Sequence, residues 1–259
     1  MSIPDSYAPR DVPATSIDLA TPTRALAIGA HPDDVEFGCG ATLAKWASAG
    51  CEIFHLICTD GSKGTWDPNV DTALLVAQRQ REQRAAAKEL GGARTEGDVV
   101  FLGWSDGELE HGLRQRWEIA YWIRRFRPDV VLGHDPWRRY RLHPDHRSAG
   151  FLTTDGIVAA RDPKFFPEQQ VQPHRPTALL LWEADEPDHI ENVAGYLGHK
   201  VAALLAHVSQ YETTMRIHAG TDDSLQVAAF RQAVTDVAAK AGRLAGIDAG
   251  EAFKILHKL

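Results

Sequence analysis

The hydrophobic pattern alternates between two periods. Short, almost unbroken apolar runs occupy 24–30, 51–58, 98–102, 129–133 and 177–182, the form taken by strands buried on both faces of a parallel sheet. Between them, apolar residues recur at three- and four-residue spacing over about 39–49, 73–90, 111–126 and 145–160, which predicts amphipathic helices. Gly50, Gly91 and Pro128 punctuate the returns. Strand and helix in alternation build βαβ units, so the pattern predicts an α/β fold with a mainly parallel sheet covered on both faces. Beyond 187 the pattern turns helical, over 190–208 and about 223–240, with a short helix near 248–257. Residues 1–23, rich in Pro, Ser and Thr and without a period, are expected as an extended arm ahead of one domain over 24–259.

Two polar clusters interrupt this pattern. Ala30-His31-Pro32-Asp33-Asp34 follows the first apolar run, and His143-Pro144-Asp145-His146 follows the fourth after a loop. A proline pushes the residue before it toward extended backbone, so His31, Asp33 and Asp34 fall in a turn at the carboxyl end of a strand. Ligands of open α/β sheets bind there. His31 and Asp34, three apart, can fold back onto one cation while Asp33 points elsewhere. One imidazole from the second cluster completes a two-His, one-carboxylate set with open positions, as in catalytic zinc and some non-haem iron(II) sites. Asp33, unligated, is the base that a metal-bound water needs. The plainer reading of H-P-D-D is a helix N-cap, which leaves the second H-P-D unexplained.

Pro144 suits a first helical turn, which places His143 and His146 close together; only one of them need touch a metal. Asp145 reads as a cap or as a support for a His ring, and His134 is balanced between pocket and packing. Arg138, Arg139, Arg141 and Arg147 crowd the same mouth, either as solvated loop charge or as a basic rim for an anionic substrate. On the second helix, Arg79 and Glu82 read as an ordinary i,i+3 pair. His55 reads as a core histidine with a satisfied ring, and His207-x-Ser209-Gln210 as a tie between helix ends. A dinucleotide site is excluded: Gly29-Ala-His-Pro-Asp-Asp is not G-x-G-x-x-G, and its carboxylates would repel a pyrophosphate. Thr59-Asp-Gly-Ser-Lys-Gly64 lacks the Walker spacing and is expected as a flexible pocket wall.

The two clusters, together with Gly38-Cys-Gly-Ala-Thr42, Thr59-x-Gly61-x-x-Gly64, Arg79-x-x-Glu82-x-x-Ala85, Asp106-Gly107 and Glu251-Ala-Phe253 in this order, resemble the PIG-L/LmbE family of zinc-dependent N-acetylglucosaminyl deacetylases. The resemblance implies a Rossmann-like three-layer fold. It also implies removal of the N-acetyl group from an N-acetylglucosamine-containing conjugate by metal-activated water. It nominates His31, Asp34 and His146 as ligands of Zn2+, with Fe2+ as the alternative ion, and Asp33 as general base. His143 becomes the imidazole facing the scissile carbonyl, and Arg79 and Asp106 become contacts to the sugar. Two other readings stay open: an amidase acting on a mycothiol-like thiol conjugate, and an iron(II) oxygenase.

Composition narrows the partners. A net charge of −7 argues against a nucleic-acid binder, and no apolar stretch approaches the ~20 residues of a membrane span. The polar start Met1-Ser-Ile-Pro-Asp-Ser lacks a secretory signal's apolar run, so a cytoplasmic location is expected. Three cysteines are too few and too irregularly spaced for a disulfide framework. A small amino-sugar conjugate is thus the expected partner, with a homo-oligomer left open.

Overall fold

A computed structural model describes residues 15–91, 98–218, 223–257 and 259. One eight-stranded sheet runs in the order β1-β7-β8-β6-β5-β2-β3-β4. The strands are β1 (Ser16–Ile17), β2 (Arg24–Gly29), β3 (Glu52–Thr59), β4 (Val99–Trp104), β5 (Val130–His134), β6 (Ala178–Trp182), β7 (His189–Asn192) and β8 (Gly250–His257). All neighbours pair in parallel except β8, which is antiparallel to both β6 and β7. The helices are α1 (Asp34–Ser48), α2 (Thr72–Glu89), α3 (Leu113–Phe126), α4 (Pro144–Arg161), α5 (Leu197–Leu205) and α6 (Asp223–Arg243).

Alternation along each strand divides the core into two layers. Ala25 and Ala27 of β2 face Val35, Leu43 and Trp46 of α1 and Ala203 of α5. Leu26 and Ile28 face the other way, onto Ile119, Ala120 and Ile123 of α3 and Leu152 and Ile157 of α4. The three-layer α/β arrangement follows the pattern of apolar runs.

At the end of the expected arm, Ser16 and Ile17 join β7 as the edge strand; its first fourteen residues lie outside the described chain. Two expectations are corrected. The segment from 190 is not helical at its start, since β7 runs to Asn192 and α5 begins only at Leu197. The short helix near 248–257 is instead β8, whose backbone pairs with two strands at once. Distant pairing of this kind overrides local preference.

The sheet reverses direction of winding at β2. From it the chain steps to β3 and β4 on one side, then crosses to β5 on the other. The crevice above β2 and β5 is therefore the topological switch point, and both polar clusters open onto it. Helix α1 enters this crevice as a single turn and then breaks at Cys39, with φ −147° and ψ 19°. A new helical N-terminus forms behind the break, where Ala41 and Thr42 donate backbone N–H groups to the Glu251 carboxylate at 3.1 and 2.7 Å. The helix read from the sequence, starting near 39, is this second piece. Gly38 at the junction admits no side chain, because a Cβ would lie 2.5 Å from the Trp182 ring.

Candidate active site

The loop after β2 is held in an unusual conformation. Asp33 has φ 106° and ψ −25°, a region that costs a non-glycine residue roughly 1–3 kcal/mol. Two side chains of α2, one turn apart, hold it there. Gln83 accepts the Asp33 backbone N–H at 2.9 Å and donates to the buried Glu36 at 2.7 Å. Arg79 donates to Pro32 O at 2.5 Å and to Gly61 O at 2.9 Å, and lies 3.5 Å from the Asp33 carboxylate. Arg79 is thus buried as a clamp between the loops after β2 and β3, besides lining the cavity. Gly64 makes room for it, since a Cβ there would meet the guanidinium at 2.3 Å.

Across the crevice, α4 presents its first turn. His31 Nδ1 lies 3.2 Å from Asp34 Oδ2 and 3.2 Å from His146 Nε2, and His146 Nε2 lies 3.3 Å from Asp34 Oδ1. Ligand atoms around a four-coordinate zinc at 2.0–2.1 Å lie roughly 3.3 Å apart. Asp34 reaches the two rings through different oxygens, so the three side chains cluster at about the spacing of a zinc ligand set. His31 Nε2 is set toward two carboxylates, 3.1 Å from Asp145 and 3.2 Å from Asp106. A proton on Nε2 satisfies these carboxylates and leaves the Nδ1 lone pair free.

The remaining imidazoles divide by their partners. His134, at the end of β5, accepts the Trp182 indole N–H on Nδ1 at 3.0 Å. Its own proton is then on Nε2, 3.2 Å from Asp34 Oδ2. In this state it orients Asp34 rather than binding a cation. His146 Nδ1 receives Arg141 Nη1 at 2.9 Å. A guanidinium only donates, so ligation through His146 Nε2 requires Arg141 to leave Nδ1. His143 is exposed, stacked at 4.7 Å on His146 and edge-on at 4.6 Å to His31. Its nitrogens have no hydrogen-bond partner among the described residues.

Charge in the crevice is lopsided. Burial favours a neutral ring at His31, yet Asp106, Asp145 and Asp34 outweigh it and hold the imidazole well above its ordinary pKa. Burial also raises carboxyls, but His146 and His134 hold Asp34 well below the usual range. Asp33 goes the other way: burial, partly opposed by Arg79, pushes it up to about 6. Asp33, Asp34, Asp106 and Glu183 line a cavity of about 660 Å³ together with Arg79 and Lys63.

Lys63, Gly64, Thr65 and Trp66 line this cavity, so the 59–64 loop leads into its wall as expected. Asp106 lines it too, but with one oxygen on His31 and the other accepting Lys63 N–H at 3.0 Å. Asp145 takes the supporting role proposed for it, accepting Gly107 and Leu109 N–H at 2.6 and 3.1 Å beside His31. Asp145→Asn should therefore weaken metal binding about 10–100-fold, the usual effect of losing a carboxylate behind a ligating His, measured by competition with a chelator. Ser209 and Gln210 tie to Glu82 and to Gly64 O, consistent with a structural role. His55 is buried but not satisfied: Glu36 lies 3.8 Å away, outside hydrogen-bond reach. None of the four rim arginines lines the cavity; Arg138 and Arg141 pair with Glu183. Sequence reasoning missed Gln83 and Trp182, and gave His134 no clear role. A polar residue one turn after Arg79 was the only available hint for Gln83.

A mainly parallel sheet thus brings His31, Asp33, Asp34, His143 and His146 together at its switch point. The chain belongs to the PIG-L family, described as GlcNAc-PI de-N-acetylase, whose sequence profile matches residues 26–157. It is 34% identical over 191 residues to diacetylchitobiose deacetylase of Thermococcus kodakarensis, covering 73% of this chain and 70% of that protein. It is 32% identical over 171 residues to the 1D-myo-inositol 2-acetamido-2-deoxy-alpha-D-glucopyranoside deacetylase of Streptomyces avermitilis, spanning 56% of each. Among solved structures, the N,N'-diacetylchitobiose deacetylase of Pyrococcus horikoshii superimposes with a TM-score of 0.80 at 28% identity, over 91% of this chain and 84% of that one.

Proposed function

We propose that this chain is a metal-dependent N-deacetylase that removes the acetyl group from an N-acetylglucosamine-containing conjugate. One observation carries this reading: His31, Asp34 and His146 cluster in one cavity that Asp33 also lines. His31, Asp34 and His146 would hold the ion, and zinc suits two imidazoles and a carboxylate. When bound, such an ion supplies a water of lowered pKa and polarises the amide oxygen.

The chain's own residues do the rest. Asp33, fixed by Gln83 and Arg79, accepts the proton of the attacking water. His143, exposed at the cavity and stacked on His146, faces the position where negative charge develops on the carbonyl oxygen and donates to it; losing such a donor typically costs about 10²–10³ in rate. Arg79 and Asp106 at the cavity wall meet the sugar. Glu36, beneath Gln83, keeps that amide turned so that its oxygen faces Asp33 N–H.

The experiment is acetate release from N-acetylglucosamine conjugates, with and without a chelator. Loss of activity with chelator and recovery with added zinc is expected. A chelator-insensitive rate overturns the metal, and cleavage only of a thiol conjugate's acyl group returns the amidase. The pH dependence has a definite sign. Asp33 works as carboxylate, so kcat/KM should fall about tenfold per unit as pH drops below the Asp33 pKa. A cation beside Asp34 lowers that pKa as Arg79 does, which puts the acid limb at or below about 6. An acid limb centred above 7 contradicts the assignment.

A further inference from the structure

We propose that the conjugate carries an apolar aglycone, seated in a second cavity that adjoins the active site. This rests on the deacetylase reading and goes on to name the chemistry of the group attached to the sugar.

The second cavity measures about 330 Å³, within the usual size of small-molecule pockets. Its long wall is α6, which turns Phe230, Val234, Val237 and Ala241 toward it at helical spacing, opposite Phe37 and Ala252. Phe37 and Phe230 meet edge to face at 6.4 Å between centroids. The cavity shares Phe37, Gly38, Glu183 and Val237 with the catalytic one, so the two adjoin.

Its polar lining residues are already paired. Lys200 and Glu251 meet at 2.6 Å; Lys200 also donates to Phe37 O at 2.7 Å, and Glu251 accepts from Ala41 and Thr42. Glu183 at the shared mouth is paired with Arg138 and Arg141. What remains to offer a ligand is hydrocarbon. Val237, 69% exposed at the junction, is an apolar side chain left in water where the two cavities meet. An alkyl or aryl group extending from the sugar fits this lining; a second sugar or an inositol would leave its hydroxyls without partners there.

The test is a series of alkyl N-acetylglucosaminides, from methyl through butyl to hexyl, with the full chain. Each methylene moved from water into hydrocarbon is worth about fourfold in binding, so kcat/KM should climb about fourfold per added carbon until the cavity fills. Binding away from the reacting bond acts through KM, with kcat little changed. Ala241→Trp, which occupies the cavity, should bring the hexyl-to-methyl ratio down toward one. N,N'-diacetylchitobiose should be a poorer substrate than the hexyl glycoside. Turnover of the methyl glycoside with a flat series overturns the aglycone assignment and leaves the deacetylase standing. A chain-length gain that survives Ala241→Trp also overturns it, by locating the gain elsewhere. Failure to turn over any member, metal-loaded, sinks the deacetylase reading itself and the aglycone with it.

Discussion

Asp33→Ala is expected to lower kcat by roughly 10²–10⁴ with KM nearly unchanged, because a general base acts on the transition state and not on substrate binding. Metal content should stay at the level of the unmodified protein, since Asp33 faces Arg79 and not the ligand set. Asp33→Asn separates charge from shape: it keeps the side-chain volume and should lose nearly as much. Removal of the side chain also relieves strain of the left-handed backbone only if glycine replaces it. Asp33→Gly should therefore unfold no more easily than Asp33→Ala while being equally inactive. Steady-state kinetics, elemental analysis and thermal unfolding check all three, and an active Asp33→Ala would assign the base elsewhere.

Asp34→Ala should be inactive for a different reason. Asp34 offers one oxygen toward His31 and the other toward His146, and it is the carboxylate toward which His134 is turned. Its loss takes away the only anionic member of the ligand set, and metal should fall from about one ion per chain to near background, because the set exists only in the folded state. His31→Ala and His146→Ala should do the same. Full metal in His146→Ala would instead move the third position to His143, which lies in the same stack. Separating the two outcomes, Asp33 variants holding metal and Asp34 variants lacking it, is the sharpest test of which aspartate plays which part.

The parts of the fold legible in the sequence are those whose burial is written locally. The apolar runs at 24–30, 51–58, 129–133 and 177–182 fall within one residue of β2, β3, β5 and β6, because a strand covered on both faces has no polar alternation to blur it. Helices α2 and α4 match to within a residue at each end. Strand β8 was not legible. Ala252, Phe253, Ile255 and Leu256 suit a helix as well as a strand, and only the partners β6 and β7, far away in sequence, decide between them. The site divides along the same line. His31, Asp33, Asp34, His143 and His146 stand in two short motifs whose turn geometry is local. Gln83 and His134 act through contacts 50 and 100 residues away, and nothing beside them in the chain marks those contacts. Arg79 was seen, but its grip on Pro32 O and Gly61 O was not.

The placement of β8 bears on how the molecule is made. It is the last strand in chain order, yet it lies inside the sheet, with β6 on one side and β7 then β1 on the other. A nascent chain emerging from the ribosome can assemble β2 to β6 in order of synthesis. It cannot seat β1 or β7, and the free edge of β6 stays open to any other strand, until residues 250–257 arrive. The same strand delivers Glu251 to the broken helix beneath Asp34. Closure of the sheet is thus tied to the synthesis of residues 250–257, and a chain halted before residue 250 is left with both an open strand edge and an uncapped helix beneath Asp34.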